Sequence, residues 1–156
     1  MSMHRLLREQ LIPAPLADVW EYFCDPRNLN EMTPPDMKFV IVSALPGRMM
    51  EGQLIEYRVE FVRGLRSLWL TEIAHVREQA YFVDEQRLGP YRFWYHEHIF
   101  EAVIGGTRMT DRVTYAIGFG LLGDIFNAIW IGRRLDEIFD YRFRKIKEIF
   151  PERRTA

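Results

Sequence analysis

Trp94-Tyr95-His96-Glu97-His98-Ile99-Phe100-Glu101-Ala102-Val103-Ile104-Gly105-Gly106-Thr107-Arg108-Met109-Thr110-Asp111-Arg112-Val113-Thr114-Tyr115 is the stretch on which the reading of the fold turns. Two runs of alternating character flank a glycine pair, and glycine at both central positions suits a two-residue hairpin turn with positive φ. A turn at Gly105-Gly106 pairs Ile104 with Thr107, Phe100 with Asp111, His98 with Val113 and His96 with Tyr115. With a side-chain period of two, Trp94, His96, His98, Phe100, Met109, Asp111, Val113 and Tyr115 share one face. Glu97, Glu101, Arg108 and Arg112 share the other, which suits a solvated surface laced with cross-strand charge pairs. The aromatic face therefore looks inward.

Upstream, a two-residue turn at Glu78-Gln79 pairs His75 with Phe82, Ile73 with Asp84 and Thr71 with Gln86, and puts Trp69 on the same inward face. At Gly89-Pro90 a two-residue loop would set Asp84 and Gln86 opposite Tyr95 and Phe93. A three-residue loop, or a bulge at Gly89, sets them beside His96 and Trp94 instead. The second choice keeps Glu72, Glu85, Arg87 and Arg92 outward with the other charges, and is the one adopted.

From Lys38 to Gly118 the same alternation, broken at Pro46-Gly47, Gly52, Gly64, Gly89-Pro90 and Gly105-Gly106, predicts six strands. Residues 4 to 12 supply a first strand. Pro13-Ala14-Pro15 breaks it, and Pro15 suits the first turn of a short helix carrying Leu16, Val19 and Phe23. Asp25 is a natural N-cap for a second short helix, ended by Thr33-Pro34-Pro35. After Gly118-Phe119-Gly120 the period becomes helical, with Leu135, Ile138, Phe139, Ile146, Ile149 and Phe150 on one stripe, until Pro151 stops it. Its first half, from Leu121 to Ile131, is apolar almost all round, so it is buried on more than one side, and Gly132 marks a bend. The prediction is an α+β fold. A seven-stranded curved antiparallel sheet wraps a long C-terminal helix, with two short helices between strands 1 and 2. One cylinder cannot fill a wide concave sheet, so a cavity is expected between them.

The chain has 156 residues, 48% hydrophobic, 14% aromatic and 28% charged, with 21 basic against 22 acidic side chains. That length predicts one domain, residues 1–156, able to bury a core without disulfides. Aromatic content and near-zero net charge exclude intrinsic disorder. The charge balance argues against nucleic acid as a partner, because such proteins carry a basic surface that releases counterions. No run approaches the roughly 20 apolar residues of a membrane span, and Met1-Ser2-Met3-His4-Arg5 lacks an apolar signal core, so the expected compartment is the cytoplasm. Cys24 is the single cysteine and reads as a buried small hydrophobe. Nothing in the sequence sets an oligomeric state.

The inward face holds Asp84, Gln86, His96, His98 and Asp111 among aromatics, and burying ionisable groups is costly unless they pair. Three readings follow: a hydrogen-bond network tying strands together, recognition of a ligand's polar end, or acid/base chemistry by a His–Asp pair. On geometry alone, His96 or His98 is expected to hydrogen-bond a carboxylate. His96-x-His98 places two imidazoles about 7 Å apart along one strand face, which suits a metal if Asp111 or His75 adds a third ligand. The reading preferred here has no metal and no cofactor. No Ser or Cys on this face could act as nucleophile, and phosphate-binding glycine loops are absent.

The opening Ile12-Pro13-Ala14-Pro15-Leu16-Ala17-Asp18-Val19-Trp20-Glu21-Tyr22-Phe23, then Asp25-Pro26-Arg27-Asn28-Leu29, resembles the start of the START/Bet v 1-like (SRPBCC) superfamily. Phe82-Val83-Asp84-Glu85-Gln86, Gly89-Pro90-Tyr91, Trp94 to Phe100 and Gly106 to Asp111 resemble small stand-alone bacterial proteins of this type, and a domain of proteins described as cell-division inhibitors. The resemblance implies a helix-grip fold with a deep cavity. Members bind lipids, sterols, polyketides or plant hormones; some are polyketide cyclases or dehydratases, and others assist chaperones or metalloenzyme assembly. No cyclase-specific motif is present, so no catalytic residue carries over. The expected partner is a small hydrophobic molecule, enclosed by Tyr57, Val59, Phe61, Trp69, Ile73, Phe82, Trp94 and Tyr115 on the sheet and by Ile125, Ile129 and Trp130 on the helix. The alternatives are a cyclase or dehydratase with His96 or His98 oriented by Asp111 or Asp84, and a protein-interaction module.

Overall fold

A computed structural model describes residues 2–44, 47–62, 64–118 and 127–152. Strand β1 (His4–Ile12) leads into α1 (Leu16–Phe23), followed by 3₁₀ turns at Pro26–Asn30 and Pro35–Met37. Strands β2 (Val40–Ile41), β3 (Leu54–Val62), β4 (Leu65–Arg77), β5 (Tyr81–Leu88), β6 (Phe93–Val103) and β7 (Gly106–Ala116) follow. A π-helical turn, Asn127–Ile131, then runs into α2 (Gly132–Ile149). The seven strands form one antiparallel sheet in the order β1-β7-β6-β5-β4-β3-β2. The α+β architecture, a curved sheet against one long C-terminal helix, is as expected from the hydrophobic periods, and it is the helix-grip fold that the resemblance implies.

The β6–β7 hairpin turns one residue earlier than expected, at Ile104-Gly105, with His98 opposite Asp111, His96 opposite Val113 and Phe100 opposite Met109. Moving the turn by one residue moves the pairing by two, so every side chain keeps its face. Gly105 supplies the positive φ of the turn, 92°. Gly106 is required for a different reason: a Cβ there would stand 2.0 Å from the Ile12 carbonyl oxygen, where β1 closes against β7.

The β4–β5 connection is three residues, 78–80, with Gln79 left-handed at φ 54°, not the two-residue turn expected. A register shift between Ile73 and His75 then restores the expected pairs Ile73–Asp84 and Thr71–Gln86. Its cost falls on His75, which becomes exposed instead of facing inward. Asp84 does lie opposite His96, as the longer loop at Gly89 requires. On the outer face, Arg87 pairs with Glu72 and Glu85, Arg112 with Glu97, and Arg108 with Glu101.

Asp25 caps the turn at Pro26–Asn30 by accepting from the Arg27 amide at 3.0 Å, but that segment is 3₁₀ rather than α. Pro15 precedes α1 as its cap residue. Leu121, Leu122, Ile125 and Phe126 lie outside the described residues. The bend expected at Gly132 is the junction of the π-helical turn with α2. Among the described residues no helix is long and apolar enough to cross a membrane.

Two apolar clusters hold the sheet to its helices. Val19, Trp20 and Phe23 of α1 pack on Phe82, Phe100, Met109 and Ile146. Leu135 and Phe139 of α2 join Tyr57, Trp69, Trp94 and Tyr91 over the centre of the sheet.

Candidate functional site

Between the sheet and α2 lies a cavity of about 160 Å³. Tyr57, Val59 and Phe61 of β3, Trp69 and Ile73 of β4, Phe82 of β5 and Trp94 of β6 line it, all expected wall residues. Leu135, Ile138 and Phe139 close it from α2, and Leu29, Met32 and Met37 from the 3₁₀ region, which was not anticipated as wall. The hydroxyls of Tyr57 and Thr71 satisfy one another at 2.7 Å.

Five expected positions do not line the cavity, among them Asp111, which borders a separate small cleft. Tyr115 is buried, but packs edge-on to Tyr91 and tilted against Trp94 and His4 in the core beside it. Ile129 is 62% exposed. Trp130 instead stands edge-on to Phe61, with ring centres 5.7 Å apart, because neighbours on a helix point about 100° apart. Gln86 serves the backbone: its amide donates to the Tyr91 carbonyl at 2.7 Å and accepts from the Tyr91 amide at 3.1 Å. This clamp holds Tyr91, whose ring is buried among Phe61, Trp69 and Trp94. Ile125 lies outside the described residues.

The polar end of the cavity is built by three strands and one helix. His96 and His98, each 4% exposed, stand two residues apart on β6 with their rings 3.7 Å apart. Asp84 on β5 flanks them on one side, with Oδ2 2.8 Å from His98 Nε2 and 3.3 Å from His96 Nδ1. Asp111 on β7 flanks them on the other, with Oδ1 2.9 Å from His96 Nε2 and 3.0 Å from His98 Nδ1. Both imidazoles thus bridge the two carboxylates. Trp94 Nε1 donates to the second Asp84 oxygen, Oδ1, at 3.0 Å.

Arg142 completes the cluster and was not anticipated. Its Nη2 lies 3.4 Å from His98 Nδ1 and 3.9 Å from Asp111 Oδ1, while its guanidinium rests over the Phe23 ring. The side chain is 8% exposed, and its Nε has no partner among the described residues. A signal existed: position 142 falls on the stripe Leu135, Phe139, Ile146, and a cation on an apolar stripe asks for a buried counter-charge.

Burial opposes ionisation throughout the cluster, and its members answer differently. For Asp111, burial is outweighed by Arg142 and the two imidazoles, so its pKa sits well below the ordinary carboxylate range. Asp84 is also lowered, because His96 and His98 outweigh burial. His96 is raised, since Asp84 and Asp111 overcome its desolvation. His98 is lowered, by burial first and by the neighbouring His96 charge second. Cys24 is buried, which raises its thiol pKa to about 12, so it is no nucleophile at neutral pH.

Fold and site together define a helix-grip architecture with an aromatic cavity and a His/Asp/Arg cluster at one end. No family model and no curated protein matches the chain. Solved structures do. Protein Ms6760 from Mycobacterium smegmatis superposes with a TM-score of 0.68 at 21% identity, over 93% of this chain and 89% of that one. Ara h 8.0201 gives 0.62 at 18% identity, over 94% and 99%. The di-domain ARO/CYC StfQ from the steffimycin biosynthetic pathway gives 0.72 at 14% identity, over 99% of this chain and 52% of StfQ. The chain has the START/Bet v 1-like fold that its sequence resembles.

Proposed function

We propose that the protein binds a small hydrophobic molecule with one polar end, held in the cavity between the sheet and α2. The observation that carries this is the cavity's polarity: aromatic and aliphatic walls, with charge gathered at Asp84, His96, His98 and Arg142. Its volume, about 160 Å³, bounds the ligand. A dry apolar cavity of about 150 Å³ accepts a benzene-sized molecule, which favours a compact aromatic or short polyketide-like ligand over a full sterol. Burying about 250 Å² of such a ligand at about 25 cal/mol per Å² gives about 6 kcal/mol, a dissociation constant of tens of micromolar. StfQ, an ARO/CYC of a biosynthetic pathway, shows that this fold also hosts pathway proteins. Against turnover by a His/Asp acid–base pair stands the geometry: all four ring nitrogens of His96 and His98 lie within 3.3 Å of a carboxylate oxygen. Proton exchange with a ligand would first have to break one of those contacts.

Native mass spectrometry of the purified protein, followed by a thermal-shift panel of aromatic acids, polyketides and fatty acids, tests the reading. The expected result is a co-purified adduct below about 500 Da, or a shift with compact aromatic members of the panel. No adduct and no shift across the panel overturns it.

A further inference from the structure

We propose that Asp84, His96 and His98 form a binding site for one divalent first-row transition-metal ion, with its open coordination positions facing the cavity. This reverses the metal-free expectation from sequence, and it stands whether or not an apolar ligand occupies the cavity. The sequence looked to Asp111 or His75 for the third ligand. The structure offers Asp84, and His75 is exposed.

The three donor atoms converge. Asp84 Oδ2 lies 2.8 Å from His98 Nε2 and 3.3 Å from His96 Nδ1, and all three lie within 4.8 Å of one another. Bonds of about 2.0–2.1 Å to an ion require donors about 3.0–3.4 Å apart, and the two Asp84–imidazole spacings lie close to that range. Two imidazoles and one carboxylate make a donor set suited to first-row divalent ions and too poor in oxygen for calcium.

The outer contacts are those a metal site needs. A ligating imidazole donates its other N–H to a carboxylate or carbonyl, which fixes tautomer and ring orientation. Asp111 fills that place for His96, 2.9 Å from its Nε2, and stands 3.0 Å from His98 Nδ1, which Arg142 Nη2 also faces at 3.4 Å. Trp94 Nε1 does the same for the free oxygen of Asp84 at 3.0 Å. Arg142 reaches the Asp111 side of the rings, 3.4 Å from His98 Nδ1 and 3.9 Å from Asp111 Oδ1. Asp84, His96 and His98 line the cavity, whereas Asp111 borders a separate small cleft beside β1. The three donors thus line the cavity together with Trp94 and Arg142, and Asp111 stands behind the imidazoles.

The test uses full-length protein purified without chelator, measured for metal content, then stripped and titrated with Co²⁺ and Zn²⁺. The expected result is one equivalent bound and visible cobalt bands that zinc abolishes. His96→Ala and His98→Ala should weaken binding at least 100-fold, and Asp111→Asn about 10–100-fold, while exposed His75→Ala changes nothing. Should the alanine variants not fold, imidazole ¹⁵N shifts of the wild type decide: zinc should move His96 Nδ1 and His98 Nε2. Uptake below a tenth of an equivalent at 100 μM metal, uptake that survives both alanine substitutions, or unmoved ring nitrogens would overturn the proposal.

Discussion

Asp111 is a single carboxylate contacted by two imidazoles and faced by a guanidinium, all of them buried. Removing one member of such a group leaves uncompensated charge behind, so Asp111→Ala should cost about 3–5 kcal/mol in urea unfolding of chelator-treated protein. The same cluster sets the pH profile. His96 holds its proton more tightly in the fold, so its contribution is complete below the ordinary imidazole pKa of about 6.5 and is lost as pH rises through the raised value. His98, Asp84 and Asp111 are lowered, so their contributions are complete above the ordinary values and are lost as pH falls. Stability of the metal-free protein should therefore peak near pH 6.5, fall on both sides, and fall further below about pH 4. Urea midpoints that rise or fall monotonically from pH 3.5 to 9 would refute this assignment, and Asp111→Ala should flatten the curve.

At the scale of elements, the β6–β7 hairpin joins sequence to site. Gly106→Ala should destabilise by about 1–3 kcal/mol, because φ is 147° and the new Cβ would meet the Ile12 carbonyl. Gly105→Ala meets no neighbouring atom and carries only the penalty of its positive φ, so it should be the milder of the two in thermal unfolding. Equal midpoints would show that β1 yields. The inward set on β6 and β7 was legible because a one-residue shift of the turn moves the pairing by two residues and so keeps every side chain on its face. The inward set on β4 was only partly legible. A bulge beside Ala74 reverses the face of His75, and no local residue type announces a bulge. Gln86 shares the inward parity of Asp84, yet it is drawn into bracing the Gly89 loop, a role that depends on a backbone path sequence patterns do not specify. Arg142 was missed because helix-stripe reasoning sorts residues by apolarity, and it is the polar member of the stripe that reaches His98.

At the scale of the whole molecule, a curved sheet holds a straight helix along part of its width and leaves an aromatic space alongside it. The strands were legible as wall from their alternation. The 3₁₀ region was not, because Leu29, Met32 and Met37 follow no period, and Ile129 fails as wall because the turn before α2 points it outward. The central claim is that this space receives a ligand, and Ile138 of α2 faces it from the helix side. The most direct measurement is isothermal titration calorimetry with benzoate, a compact aromatic with one anionic end, on wild type and Ile138→Trp, with circular dichroism confirming that both are folded. The account predicts one saturable site on the wild type and at least tenfold weaker binding once the indole fills the cavity. Equal binding by both proteins, or none by the wild type, would contradict it.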